Sequence, residues 1–498
     1  MNVNPITRLD YPDPDVIRVE DTYYMVSTTM HFMPGCEILQ SFDLVHWEHA
    51  TYVYETLDHT DAQQLKSGQN IYGQGMWAAS LRYHEGRFYI CFVANDTRKT
   101  YLYTSEKIDG PWKKQLIEGF YHDGSLLFDE DGRNYIVYGN DEIWITELNE
   151  DLTAPKKGGL HRLLVSDHKN PELGYEGSHI QKINGYYYIF LIHSLRDRWM
   201  RTEACFYSDS LEGEFTGGDV LCDDRGYCGQ GVAQGGIVDT PDGKWYAMLF
   251  QDSGAVGRIP ILVPVTWKDH FPVFGQNGHV PEEIAVHSTR PGYIYQPLVG
   301  SDDFCNGLLP RWQFNHDPDP RYYHLDALQG TYTITTREVC TELTQAVNTL
   351  TQRMSYPSCA AEVTVDASAL KEGDVAGLCA LQGCYAAVGI TKHHGKYEVL
   401  MLDKKEDGIL DMTEGTVVES HQMDFRLEAD FCNMKDEARC YYRVNKGDWL
   451  PIGTVHKLYF KLDHFTGCRF GLFCYAAEET GGSACFRDFK YYDVDEIS

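Results

Sequence analysis

Apolar and polar residues along this chain alternate at the two-residue period of β-strands rather than the 3.6-residue period of helices. In the first part of the chain the alternation recurs in five similar stretches: DPDVIRVEDTYYMV from Asp13, WAASLRYHEGRFYICF from Trp77, DGSLLFDEDGRNYIVYG from Asp123, EGSHIQKINGYYYIF from Glu176 and QGGIVDTPDGKWYAMLF from Gln234. Each carries a tyrosine 11 or 12 residues after its first residue (Tyr24, Tyr89, Tyr135, Tyr188, Tyr246) and reads as strand, tight turn, strand. Glu85-Gly86, Asp131-Gly132, Asn184-Gly185 and Asp242-Gly243 suit the positive backbone angles of hairpin turns. Repeated units of this kind bury their faces only against one another, so the pattern predicts a β-propeller with one blade per repeat, five in all. Ser41–Trp47 (SFDLVHW), Ser105–Trp112 (SEKIDGPW) and Ser208–Phe215 (SDSLEGEF) read as outer strands, each ending in an aromatic that fills the space between blades.

At 498 residues the chain exceeds what one core usually organises. The propeller pattern covers 1–290 and stops by Ser301, where shorter alternating segments begin: YTITT, AEVTV, YEVLML, LYFKL and GCRFGLFCY. These predict an antiparallel β-sandwich over 300–498, reached through a short linker from Pro281 to Pro297. The predicted class is all-β.

A formal charge of −30 opposes binding to nucleic acid or to an anionic membrane surface and favours a neutral partner. The 34 tyrosines and 9 tryptophans fit a sugar, whose apolar ring faces stack on aromatics, though core packing accounts for most of them. Fifteen cysteines, none in a CxxC pair, argue against a zinc site. The N-terminal MNVNPITRLDYPDPD has neither the basic stretch nor the apolar run of a secretory signal, and no run of about 18 apolar residues is present, so a reduced, cytoplasmic protein is expected.

Equivalent positions in successive blades converge on the central axis, so the residues opening the repeats meet in one place. Three of them, Asp13, Asp123 and Glu176, are acids. Hydrolysis of a glycosidic bond needs a general acid for the leaving oxygen and either a base that activates water or a carboxylate nucleophile. Crowding and burial of three carboxyls raises the pKa of at least one of them, as an acid working near neutral pH requires. Taken singly, each has a plainer reading: Asp13 lies in a Pro-flanked turn, Asp123 could cap one, and Glu176 could be a solvated loop acid.

Tyr-Pro-Asp-Pro-Asp, Ser41–Trp47, Trp77-Ala78, Asp123-Gly-Ser-Leu and Glu176-Gly-Ser-His together resemble glycoside hydrolase family 43 across residues 1 to about 285. The later part, through WQFNHDPD, NTLTQR and GDVAGLCALQ, resembles the concanavalin A-like sandwich of that family's β-xylosidases and arabinofuranosidases. The resemblance implies that Asp13 is the general base, Glu176 the general acid and Asp123 the residue that orients the acid and tunes its pKa. It implies an inverting, exo-acting hydrolase that releases xylose or arabinose from short plant-derived oligosaccharides, with base and acid about 6.5–9.5 Å apart. It also matches Arg258 to an arginine facing the terminal sugar; Trp77 is expected to stack on the sugar or seal the pocket floor, and Phe32 to line its mouth. Where many members carry a histidine beside an axial metal or water cluster, this chain has Gln234, a weaker and non-titrating ligand. A histidine-linked central metal is therefore in doubt, no cofactor is required for the chemistry, and a structural calcium ion elsewhere stays open. Two alternatives remain on sequence alone: a retaining fructan-type hydrolase, whose expected Arg-Asp-Pro is missing, and a propeller that only binds sugar or protein.

Overall fold

A computed structural model of the chain describes residues 2–413 and 415–493; the end of the range read as sandwich, 494–498, lies outside them. Residues 15–274 form five four-stranded antiparallel sheets in chain order. Their innermost strands are Asp15–Val19, Met76–His84, Ser125–Phe128, Glu176–Ile183 and Ile237–Asp239, and each sheet adds its next three strands outward as a simple meander. Five apolar clusters hold the blades together, one per interface. Val26, Ile38, Leu81 and Ile90 join blades 1 and 2. Cys91, Leu102 and Ile136 join 2 and 3, Val137, Ile145 and Ile189 join 3 and 4, and Phe190, Leu249 and Ile261 join 4 and 5. Tyr23, Met25, Met248 and Leu262 close the ring between blades 5 and 1. Among the described residues the closure uses no exchanged strand in any blade. Instead Asn4 bridges to blade 5, its Nδ2 donating to the Leu262 carbonyl (2.8 Å) and its Oδ1 accepting from the Leu262 amide (3.1 Å).

The hairpin turns divide by sequence. Glu85-Gly86 and Asn184-Gly185 are two-residue turns with both φ angles positive, between the pairs His84–Arg87 and Ile183–Tyr186. In Asp131-Gly132 and Asp242-Gly243 only the glycine is left-handed, and the loops are longer, closing between Phe128–Asn134 and Asp239–Trp245. The three Ser-to-aromatic segments are not outer strands: each is the turn between a blade's third and fourth strands. The cause is local polar chemistry. Ser41 Oγ accepts from the amides of Asp43 and Leu44, and Asp43 Oδ1 from those of Val45 and His46, which satisfies the backbone without a ladder partner. The aromatics do fill the interblade spaces, Trp47 between blades 1 and 5 and Phe215 between 3 and 4.

Residues 313–493 form two stacked antiparallel sheets, one centred on Val375–Leu381 and Arg469–Tyr475, the other on Ser358–Asp366 and Ser483–Asp493. Their core also takes in Ala255, Val256 and Ile259, from the loop of blade 5 and the strand after it, so the sandwich is built partly on the propeller. Buried polar links reinforce the joint: Arg353 Nη1 lies 2.8 Å from Glu37, Arg353 Nε donates to the Asp10 carbonyl (2.8 Å), and Gly467 N donates to Asp10 Oδ2 (2.7 Å). The linker is strapped to blade 1, with Gln296 N donating to Glu48 Oε2 (2.9 Å) and Arg290 pairing with Asp21 (2.8 Å).

Candidate active site

Each blade enters its innermost strand irregularly, which sets the direction of the first side chain. Asp13, Asp123 and Gln234 have φ of 52°, 48° and 63°. In blade 4 the left-handed step falls on Gly177 (φ 63°), where a Cβ would lie 2.7 Å from Gln234 Cδ. Blades 2 and 4 also shift register between Met76 and Ala79 and between Glu176 and His179. A left-handed non-glycine costs roughly 1–2 kcal/mol, Asp being among the residues that tolerate it best. Strain concentrated at matched positions of different blades marks a site the fold holds open.

Asp13, Asp123, Glu176, Trp77, Arg258 and Gln234 all line one cavity of about 300 Å³. Asp13 accepts from Arg258 Nη1 (2.6 Å) and Thr28 Oγ1 (2.5 Å). Asp123 Oδ2 accepts the Gly177 amide (2.8 Å), so it grips the backbone directly after Glu176. Glu176 Oε2 accepts from Asn140 Nδ2 (3.0 Å). Trp77 fixes its ring by donating Nε1 to the Gly73 carbonyl (3.2 Å). Gln234 donates its amide to Glu203 Oε2 (2.7 Å), on a carboxyl that burial pushes well above the carboxylate range.

Several residues that line the pocket or hold its lining were not read from the sequence. Asp252 ties two arginines together, accepting Arg201 Nε (2.8 Å) and Arg258 Nε (3.2 Å). Arg201 is buried, and its Nη1 has no hydrogen-bond partner among the described residues. His122 stands between two of the acids, with Nε2 3.6 Å from Asp123 Oδ2 and 3.7 Å from Glu176 Oε2. The sandwich supplies Leu462, Asp463 and Phe465. Phe465 meets Trp77 edge-on at 5.2 Å and lies under the Arg258 guanidinium at 3.7 Å. Its loop can approach this closely because Gly467 has no Cβ; one would sit 2.0 Å from the Val256 carbonyl oxygen. Phe32 takes no part in the pocket. It is buried at the domain joint, 3.4 Å beneath the Arg469 guanidinium, because the sandwich docks on the loop that carries it.

The acids are electrostatically distinct. Burial pushes Asp123 up to about 6, the charges of Glu176 and Asp13 adding to it against the pull of His122. Burial alone would discharge His122, but Asp123, Glu176 and Asp13 overcome it and raise the imidazole to about 9. Burial works to raise Glu176 too, yet His122, with Arg201 and Arg258 behind it, holds that carboxyl below its ordinary range.

Deeper along the axis Arg82 plugs the ring. Its guanidinium donates to Asp15 Oδ2 (2.8 Å), Ser125 Oγ (2.7 Å) and the Leu126 carbonyl (2.8 Å), while His179 Nδ1 contacts Asp15 Oδ1 at 3.1 Å. Both Asp15 oxygens are thus engaged, one with a fixed cation, and this stretch of the axis does not fit a divalent metal. Beyond Arg82 a separate hollow of about 420 Å³, lined by Arg18, Lys182, Asp239 and Trp245, contains none of the three acids.

A pocket lined by four carboxyls, two guanidiniums and the aromatic faces of Trp77, Trp199 and Phe465 has the equipment for glycosidic bond cleavage. Comparison with known proteins agrees. Residues 3–272 match the model of glycosyl hydrolases family 43, and 301–492 that of the beta xylosidase C-terminal concanavalin A-like domain. The chain belongs to glycosyl hydrolases family 43 and is a glycosidase. A beta-xylosidase of Formosa agariphila is 26% identical over 99% of this chain and 89% of its own length. A non-reducing end alpha-L-arabinofuranosidase of Bacteroides ovatus is 26% identical over 66% of this chain and 63% of its own. The structure of a bifunctional GH43-CE protein of Bacteroides eggerthii superposes with a TM-score of 0.91 at 42% identity, covering 100% of this chain, which spans 64% of that protein's length. A GH43 enzyme engineered to display endo-xylanase and exo-arabinofuranosidase activity gives 0.86 at 27% identity, with 99% of both chains covered. Among the described residues no helix is long and apolar enough to cross a membrane.

Proposed function

We propose that the protein is an inverting, exo-acting glycosidase that removes a terminal xylose or arabinose from (arabino)xylo-oligosaccharides. The observation that carries this reading is the closure of the acid-lined pocket by Phe465, Leu462 and Asp463: a hollow of about 300 Å³ capped from the sandwich admits a chain end, not the middle of a polymer. The names of the relatives, beta-xylosidase and alpha-L-arabinofuranosidase, point to the same pentoses. Asp13 would take a proton from the attacking water, with Arg258 keeping it anionic and aimed. Glu176 would protonate the leaving oxygen, and Asp123 would orient it through the Gly177 amide. Arg258 and the free Nη1 of Arg201 would bond sugar hydroxyls, with Trp77 and Phe465 framing the ring. Fifteen cysteines, all unpaired, favour a reducing, cytoplasmic compartment, and with it soluble oligosaccharides as substrate.

The test is a panel of nitrophenyl β-xyloside, nitrophenyl α-L-arabinofuranoside and xylo-oligosaccharides. Pentose is expected to appear one unit at a time from the non-reducing end. Internal cleavage, or no hydrolysis of either glycoside, would refute the reading.

A further inference from the structure

A general acid must begin each turnover protonated, and the surroundings of Glu176 raise the question of where that proton waits. The other acids have partners of their own: Asp13 is bonded to Arg258, Asp252 bridges Arg258 and Arg201, and Asp123 accepts the Gly177 amide. Among the described residues, the ion pair within 4 Å of the Glu176 carboxylate is with His122, at 3.7 Å. The Nε2 of His122 is buried, has no hydrogen-bond partner among the described residues, and faces Glu176 and Asp123 almost equally. Resting on the glycosidase reading above, we propose that His122 stores the acid's proton between turnovers and passes it to Glu176 when a sugar fills the pocket. It is a positioning residue, acting through Glu176.

The physical basis is a pair with two arrangements, imidazolium with carboxylate or imidazole with carboxylic acid. Before sugar enters, the charged form is favoured, in line with His122 being held up at about 9 by Asp123, Glu176 and Asp13. The other charged groups facing this cluster are Arg201 and Arg258, which act on Glu176, and Asp463 across the cavity. A sugar that displaces water lowers the local dielectric and favours the uncharged form. Once the pair closes from 3.7 Å to hydrogen-bond distance, the proton crosses from Nε2 to Glu176 and on to the glycosidic oxygen as the bond from that oxygen to the anomeric carbon breaks. Water adds its oxygen to that carbon and gives a proton to Asp13, which returns it to solvent as products leave; His122 is reprotonated from solvent. One water is consumed, and no other reactant is needed.

The test uses His122→Asn in the full chain, with pH profiles of kcat/KM on xylobiose and on dinitrophenyl β-xyloside, whose leaving group needs little protonation; if the arabinose arm of the panel is the active one, methyl and dinitrophenyl α-L-arabinofuranoside replace them. On the unactivated substrate the alkaline limb is expected to move about 2 units to lower pH. The rate at neutral pH is expected to fall at least about tenfold, with a loss of about threefold or less on the activated glycoside. An alkaline limb left in place, or equal losses on both substrates, would overturn the proposal. Glu176→Gln run in parallel separates the two readings: if it leaves the unactivated substrate turning over, the acid assignment itself falls, whereas if it is inactive while His122→Asn keeps the wild-type limb, only the proton store falls. Should His122→Asn fail to fold, histidine-labelled NMR decides. The His122 titration is expected to move to lower pH in Glu176→Gln, and an unmoved titration would overturn the proposal.

Discussion

Glutamine in place of Glu176 is expected to cut kcat on xylobiose or an unactivated arabinofuranoside by about 10²–10⁴-fold, the range a general acid contributes. The amide keeps the size and most of the hydrogen bonds of the carboxyl, including the one from Asn140, so the melting temperature should hold. What it cannot do is release a proton. The loss should therefore shrink as the leaving group improves, and a dinitrophenyl glycoside should retain most of its rate. A uniform loss on all leaving groups would mean that Glu176 shapes the pocket rather than protonates the leaving oxygen. A protein that only binds sugar would have no rate to lose.

Removing the sandwich, by expressing residues 1–295, is expected to give insoluble protein or to lower kcat/KM by at least about 100-fold, the scale on which loss of active-site positioning acts. Two observations set this expectation. Ala255, Val256 and Ile259 are buried in the core of the sandwich, so truncation uncovers an apolar surface that the propeller cannot refill. The pocket also loses Phe465, Leu462 and Asp463, and the faces of Arg258 and Trp77 open to water. Soluble, fully active 1–295 would show that the second domain is merely attached.

The repeat register carried much of this fold. Tyrosines at matched offsets and Gly-containing turns placed all five innermost strands, and Asp13, Asp123, Glu176, Trp77 and Gln234 meet in one cavity because they open those strands. The rest of the pocket follows a rule that repeat openings alone do not reveal. In an antiparallel meander the start of the first strand, the end of the second and the start of the third share one edge. Asn140 and Asp252 end second strands, and Arg201 and Arg258 begin third strands. Only Arg258 among them is marked in the sequence, through the family resemblance. Phe465 lies in another domain, and nothing in the local sequence says that its loop enters the propeller. Phe32 was misplaced for the same reason, since its loop is on the correct edge but the sandwich covers it. The Ser41–Trp47 type of segment looked like a strand because its aromatics are buried, although its hydroxyl and carboxylate make it a turn.

The central claim is that Asp13 drives a water directly onto the anomeric carbon while Glu176 protonates the leaving oxygen, in a pocket the fold builds for one pentose. Proton NMR of the sugar released in the first minutes of hydrolysis, before mutarotation, tests it most directly. Direct displacement by water predicts a product of inverted anomeric configuration, α-xylose from a β-xyloside; release of β-xylose would demand a covalent sugar-enzyme intermediate and would contradict the assignment of Asp13 as base.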